Sequence, residues 1–123
     1  MSDSQIPEFE TDNGFLELIQ PRDEKYMEEL EEDIFDHGCH DAVCVWGNIL
    51  IDGHLRYSIC KKWDIRFNIR RLIFQSRDEA EAYLCAEQLK RTDLTSEYRK
   101  YLIGRLFRAD MNAASAAFLR EHP

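Results

Sequence analysis

The 123-residue sequence has no apolar run near the roughly 20 residues that a membrane span needs, so no transmembrane helix is expected. The start Met1-Ser2-Asp3-Ser4 is polar and acidic, unlike the basic and then apolar start of a secretory signal, and a cytoplasmic location is the expectation. Positive charge is in deficit: 16 Lys and Arg against 24 Asp and Glu leave a net charge of −8, which repels nucleic acid unless the basic residues are concentrated. The four cysteines, Cys39, Cys44, Cys60 and Cys85, do not fall at zinc-ligand spacing. Neither an internal repeat nor a low-complexity linker is present, and the length suits one domain with a real core.

What is there is a hydrophobic content of 44% and a charged content of 33%, ordinary values for a soluble globular fold. The acidic residues gather before residue 37, whereas Lys61, Lys62, Arg66, Arg70 and Arg71 form one basic stretch. Lys90, Arg91, Arg99, Lys100, Arg105 and Arg108 form a second. Such stretches suit either a solvated face or a face that takes phosphates. Cys44, Cys60 and Cys85 lie in apolar patterns and read as core thiols. Asp36-His37-Gly38-Cys39-His40 repeats no known ligand spacing, and its Gly38 reads as a helix C-cap, so no metal site is assigned.

Residues 1–14 lack periodicity and read as a flexible lead-in. Phe15-Leu16-Glu17-Leu18-Ile19 reads as a first strand, turned by Gln20-Pro21-Arg22-Asp23. A helix over Glu24 to Asp36 buries Tyr26, Met27, Leu30, Ile34 and Phe35, with its acids on the wet side. Ala42 to Trp46 and Ile49 to Ile51 form a hairpin about Gly47-Asn48. A helix runs from Gly53 to Trp63, and Ile65 to Ile69 alternates as a half-buried strand should, with Leu72 to Phe74 continuing it or pairing nearby. Ser76 and Glu79 form a capping-box pattern before the next helix. Thr95 opens another helix to about Arg108, and Asn112 reads as the cap of a last short one. The expectation is an α+β domain over residues 15–94, with C-terminal helices over residues 95–123 as the start of a further region.

The richest stretch is Ile49 to Cys60: a short buried strand, a turn at Asp52-Gly53, and helical spacing at Leu55, Ile59 and Trp63. Free N–H groups at a helix start attract anions, and the helix dipole adds to that attraction. Gly53 lets a ligand approach the backbone, and Arg56, one turn in, can fork onto a phosphate or carboxylate. The same residues also fit an ordinary strand-to-helix connection with a surface arginine.

Three stretches in order resemble the N-terminal domain of ParB-type partition proteins, within the ParB/sulfiredoxin superfamily. Gln20-Pro21-Arg22, with the acidic helix, Gly38 and the strand Val43-Cys44-Val45 after it, resembles their Gln-Pro-Arg box. Asp52-Gly53-His54-Leu55-Arg56-Tyr57 is similar to their Gly-Glu-Arg-Arg motif, and closer to the Asp-Gly-His-x-Arg form of ParB-like proteins on phages and mobile elements. Glu87-Gln88-Leu89-Lys90-Arg91-Thr92-Asp93-Leu94-Thr95 resembles the Glu-Asn-x-Gln-Arg box and the Asp-Leu-Asn after it. The resemblance covers about residues 16–108 and implies a ParB/sulfiredoxin-like small mixed sheet with interleaved helices.

The resemblance further implies a pocket for CTP or another nucleoside triphosphate in a DNA-partition or DNA-associated regulatory protein. Gly53, His54, Leu55 and Arg56 would hold the phosphates, Arg22 would add a contact, and Glu87, Gln88 and Arg91 would close the other side. His54 and Gln88 stand where the family has an acidic residue and an asparagine that help to hold Mg²⁺, and Mg²⁺ prefers carboxylate and amide oxygens, so the metal is not assigned. Asp41-Ala42 replaces the family's Gln-Pro near the cytosine. Sulfiredoxin activity is not expected, because His54-Leu55 replaces the Cys-His pair. The resemblance also implies a nucleotide-dependent homodimer through Thr95 to Arg108, whose apolar stripe equally fits a core. DNA contact is expected only through a region outside this chain, because the residues after Arg108 are too few for a helix-turn-helix. Two alternatives belong to other classes. One is a small nucleotide hydrolase or kinase with Asp52 and His54 as its acid/base pair. The other is an interaction domain with a vestigial pocket.

Overall fold

The computed structural model describes residues 6–122. Along the chain lie α1 (Asn13–Leu16), α2 (Glu24–His37), β1 (Val43–Trp46), β2 (Ile49–Asp52), α3 (His54–Trp63), β3 (Ile69–Arg71), α4 (Arg77–Gln88) and α5 (Ser96–Glu121). The class is α+β. No helix among the described residues is long and apolar enough to cross a membrane. Two compact units divide the chain: residues up to Asp12 with Pro21–Ile73, and Asn13–Gln20 with Phe74 onward.

The first unit holds a three-stranded sheet in the order β2-β1-β3. β1 and β2 are the expected hairpin, antiparallel with Val45 opposite Leu50 and Trp46 opposite Ile49. Its turn uses Gly47 at φ 58°, a left-handed conformation that glycine adopts without strain. β3 runs parallel to β1, pairing Ile69 with Val43 and Arg71 with Val45. The strand expected over 65–69 is therefore displaced to 69–71. In this register, partners for residues 65–68 would fall in the turn before Val43, which carries no ladder. The alternation was still informative about burial, since Ile65 and Phe67 pack on the core.

Two apolar clusters fill this unit. Val43, Val45 and Leu50 gather Phe9, Tyr57, Phe67 and Ile69 about them, and Ile34, Cys39, Ile59 and Cys60 hold α2 to α3. Asp23 caps α2 by accepting the Tyr26 N–H at 2.8 Å, and Gly38 ends it at φ 83° with its N–H on Ile34 O at 2.8 Å. His37 turns back to Asp33 at 3.2 Å, and the buried Cys39 thiol donates to Asp41 O at 3.4 Å. Part of the expected lead-in lies outside the described residues. From Ile6 on it is held down: Ile6 is buried, the Phe9 N–H donates to the Tyr57 hydroxyl, and Glu10 bridges to Ile49 beside β2.

The second unit packs α4 against α5 around Leu84, Cys85, Leu102 and Ala109, with Phe15 and Leu18 also buried. Residues 15–19 are not a strand. Asn13–Leu16 forms a helical turn that the Leu18 and Ile19 N–H groups extend onto Phe15 O and Leu16 O. Ser76 Oγ accepts the Glu79 N–H at 3.3 Å as expected, while the Glu79 carboxylate accepts from Gln75 N at 2.7 Å rather than from Ser76. The two helices expected after Thr95 are one, Ser96–Glu121. Asn112 costs an interior helix only a few tenths of a kcal/mol relative to alanine, too little to stop it, and its amide reaches Asp78 at 3.4 Å.

Candidate functional site

The stretch from Asp52 to Arg56, the candidate site, lies in the first unit. β2 ends at Asp52, whose Oδ1 accepts the Gly53 N–H at 2.8 Å and fixes the turn. Gly53 sits at φ 89°, a left-handed value, as the N-cap of α3, and contributes no side-chain cap. A Cβ at this position would lie 3.3 Å from Val43 Cα and 3.5 Å from Arg56 Nη1. A side chain here would be strained by that φ and tight against the β1 backbone. The helix start is thereby left without a side-chain cap, with the Arg56 guanidinium folded back beside the turn. Arg56 Nη2 lies 3.7 Å from the exposed carboxylate of Asp41, a long contact that leaves most of its donors unused. At that exposure the pair adds little stability.

His54 is the first residue of α3. Both its ring nitrogens are buried, and neither has a hydrogen-bond partner. Burial holds the imidazole below its ordinary pKa, with the Asp52 charge partly opposing that shift. The ring is therefore neutral at physiological pH, and one nitrogen carries a hydrogen while the other offers a lone pair. Buried polar atoms in folded proteins are nearly always satisfied, so two unpartnered ones on a single ring at a helix start are unusual.

Leu55 packs toward the Ile34 cluster and positions the turn rather than offering a polar contact. Arg22, at the start of α2, lies with its guanidinium 4.3 Å over the Tyr26 ring. The other predicted residues belong to the second unit. Glu87 accepts from Lys90 Nζ at 2.8 Å. Gln88 is buried, and its Oε1 accepts from Arg91 Nη1 at 3.0 Å. Arg91 forks onto Asp93 at 2.9 and 2.7 Å, and its Nη1 also donates to Gln20 O at 2.8 Å. Gln20 answers with its side chain, accepting from Thr95 N at 2.8 Å and donating to Asp93 O at 3.2 Å. The glutamine of the first box and the third box are thus bonded together. Nothing in the spacing of residues 71 apart could have shown this.

His54 offers nitrogen rather than the oxygen that Mg²⁺ prefers, and the Gln88 amide oxygen accepts from Arg91. Thiol chemistry is also disfavoured: burial, then the charge and hydrogen bond of Cys39, push the Cys60 thiol up to about 12, and burial pushes Cys85 to about 11. Asp41 and Asp93 lie in stretches that the sequence singled out, but their pairing with Arg56 and Arg91 carries no local signal.

No protein-family model matches the chain, and no curated protein matches it. Solved structures do. A pNOB8-like ParB N-domain in a C2221 crystal form superposes with a TM-score of 0.67 at 21% identity, covering 94% of this chain and 46% of the other. A further structure of the pNOB8-like ParB N-domain gives a TM-score of 0.68 at 20% identity, covering 95% of this chain and 44% of the other. The chain has the ParB N-domain fold, as the ordered motifs implied. It spans less than half the length of the two solved chains.

Proposed function

We propose that the chain is a nucleotide-binding module of CTP type in a partition-related or other DNA-associated protein. The phosphates are held at the α3 start by the backbone of Gly53, His54 and Leu55 and by the Arg56 guanidinium. The observation that carries this is the turn itself. Glycine is favoured there by its positive φ and close backbone contact, the helix start has no side-chain cap, an arginine is folded over it, and the two buried ring nitrogens of the partly buried His54 lack partners. Similarity to ParB N-domains supports the partition context. Arg22, in the same unit, belongs to the proposed residue set. DNA contact is assigned to a region outside this chain, consistent with its net charge of −8.

The experiment is calorimetric titration with CTP, ATP and GTP, each with and without Mg²⁺, on the wild type and Arg56→Ala. One nucleotide is expected to bind, and Arg56→Ala is expected to weaken it by more than about tenfold, because charge-assisted bonds of this kind contribute about 1.5–3 kcal/mol each. Binding of none of the three would sink the proposal. The enzyme alternative, with Asp52 and His54 as acid and base, is less favoured: Asp52 spends Oδ1 on the Gly53 N–H, and no hydrogen bond joins it to His54.

A nucleotide-dependent homodimer belongs to the same proposal. Within the stretch Thr95 to Arg108, Leu102 is core, whereas Ile103 and Phe107 are exposed, with Met111 continuing their face one turn on. Light scattering is expected to show a doubling of mass with CTP that Phe107→Glu abolishes. Doubling that survives this variant would place the contact elsewhere.

A further inference from the structure

We infer that His54 makes this site proton-coupled: the imidazole takes up one proton as an anionic phosphate arrives, so binding tightens as pH falls. The inference rests on the nucleotide reading above and adds its regulation.

In the free protein His54 is an unusual group. Both ring nitrogens are buried without a hydrogen-bond partner, and the residue opens a helix whose cap supplies no side chain. A second proton on that ring would be a buried cation. Few charges stand near to balance it. Asp52, from the end of β2, acts on it electrostatically, but its Oδ1 is committed to the Gly53 N–H. Asp41, in the turn before β1, lies beside Arg56 at 3.7 Å and is exposed. Arg56, on the same helix, is itself a cation. β1 presents only apolar and thiol side chains, Val43 to Trp46. The free protein therefore favours the neutral ring, as burial predicts.

A bound phosphate reverses that balance. It brings negative charge to the helix start and acceptor oxygens for a ring N–H. An imidazolium carries a hydrogen on each nitrogen, so protonation turns a lone pair that would repel the phosphate into a donor. The proton comes from solvent, and no covalent bond changes. The sign follows from linkage. Without ligand the folded ring resists protonation, so the unfolded chain binds the proton first and stability falls as pH drops through the ordinary histidine value near ~6.5. With ligand, the bound state takes the proton first over the same window, and affinity rises by up to about tenfold per pH unit of acidification.

The test is calorimetry of CTP binding to the full chain at several pH values spanning ~6.5, in two buffers of different ionisation enthalpy, on the wild type and His54→Gln. Glutamine can still donate to a phosphate but cannot titrate, so its slope reports the proton chemistry of CTP alone. The wild type is expected to take up about one more proton than the variant over that window and to gain affinity more steeply. Equal proton uptake in both would overturn the inference and leave the nucleotide reading standing. No CTP binding at any pH would sink both. If the variant does not fold, the wild-type His54 ring signal decides by NMR. Titration below the ordinary value that moves upward on adding CTP supports the coupling, and a titration that CTP does not move rejects it.

Discussion

Phe15→Ala is expected to lower the unfolding free energy by about 4 kcal/mol, the range for deleting a fully buried aromatic ring. The side chain is 0% exposed, and the Arg77 guanidinium lies 4.3 Å over its ring. Truncation removes the apolar contacts and also exposes one face of that cation. It acts beside a single helical turn, α1. Polar ties from residues 13–20 to the α4–α5 end of the chain include the Tyr98 hydroxyl on Glu17 O, at 2.5 Å, and the Gln20 bonds. Domains of this kind are stable by about 5–15 kcal/mol, so a loss of this size takes a large share. Urea unfolding followed by circular dichroism measures it, and Phe15→Leu, which keeps most of the volume, should cost less than about 2 kcal/mol. A loss below about 1 kcal/mol for Phe15→Ala would mean that residues 13–20 detach without penalty, contrary to their burial.

That same segment shows where the sequence was ambiguous. Phe15 to Ile19 is short and apolar, and a run of that kind fits a strand or a helical turn equally well. The burial decides it: Phe15 and Leu18 are fully buried and Leu16 is 42% exposed, a spacing of three rather than two. Elsewhere the local chemistry spoke clearly. Ser76 and Thr95 cap their helices as the side chains predict, and Gly38, Gly47 and Gly53 all take positive φ. The α3 start was legible because a glycine between a buried strand and a helix has few other uses. What stayed hidden depends on distant partners. β3 shifted because β1 begins at Val43, and the Gln20–Arg91 tie joins residues 71 apart. Asn112 misled because a good cap residue is also a tolerable helix residue, here with an alanine-rich turn after it.

Arg91→Ala is expected to cost about 3 kcal/mol in stability, the low end for breaking a buried charge pair, because Asp93 keeps some water contact. The Arg91 side chain is 9% exposed and makes four bonds: two to the Asp93 carboxylate, one to Gln20 O and one to Gln88 Oε1. Removing it strands the Gln88 amide, in a residue only 6% exposed, and the Gln20 carbonyl, while the Asp93 charge loses its fork. Arg91→Lys should recover less than half of the loss, since one ammonium cannot span a bidentate carboxylate and two further acceptors. This variant also separates two roles for the third box. If Arg91 serves chiefly to tie Gln20, Gln88 and Asp93 together, CTP affinity measured well below the variant's melting temperature should fall only modestly, while urea unfolding shifts fully. If Arg91 closes over the phosphates as the resemblance implies, affinity should fall by at least about tenfold, as for Arg56→Ala. Stability within about 0.5 kcal/mol of wild type would contradict the structural account. Four of the five guanidinium N–H donors are engaged, so a phosphate could take the remaining Nη2 hydrogen alone, and a two-bond fork onto it would displace at least one present acceptor. The stability loss therefore sets the scale of what a ligand must supply to form that fork.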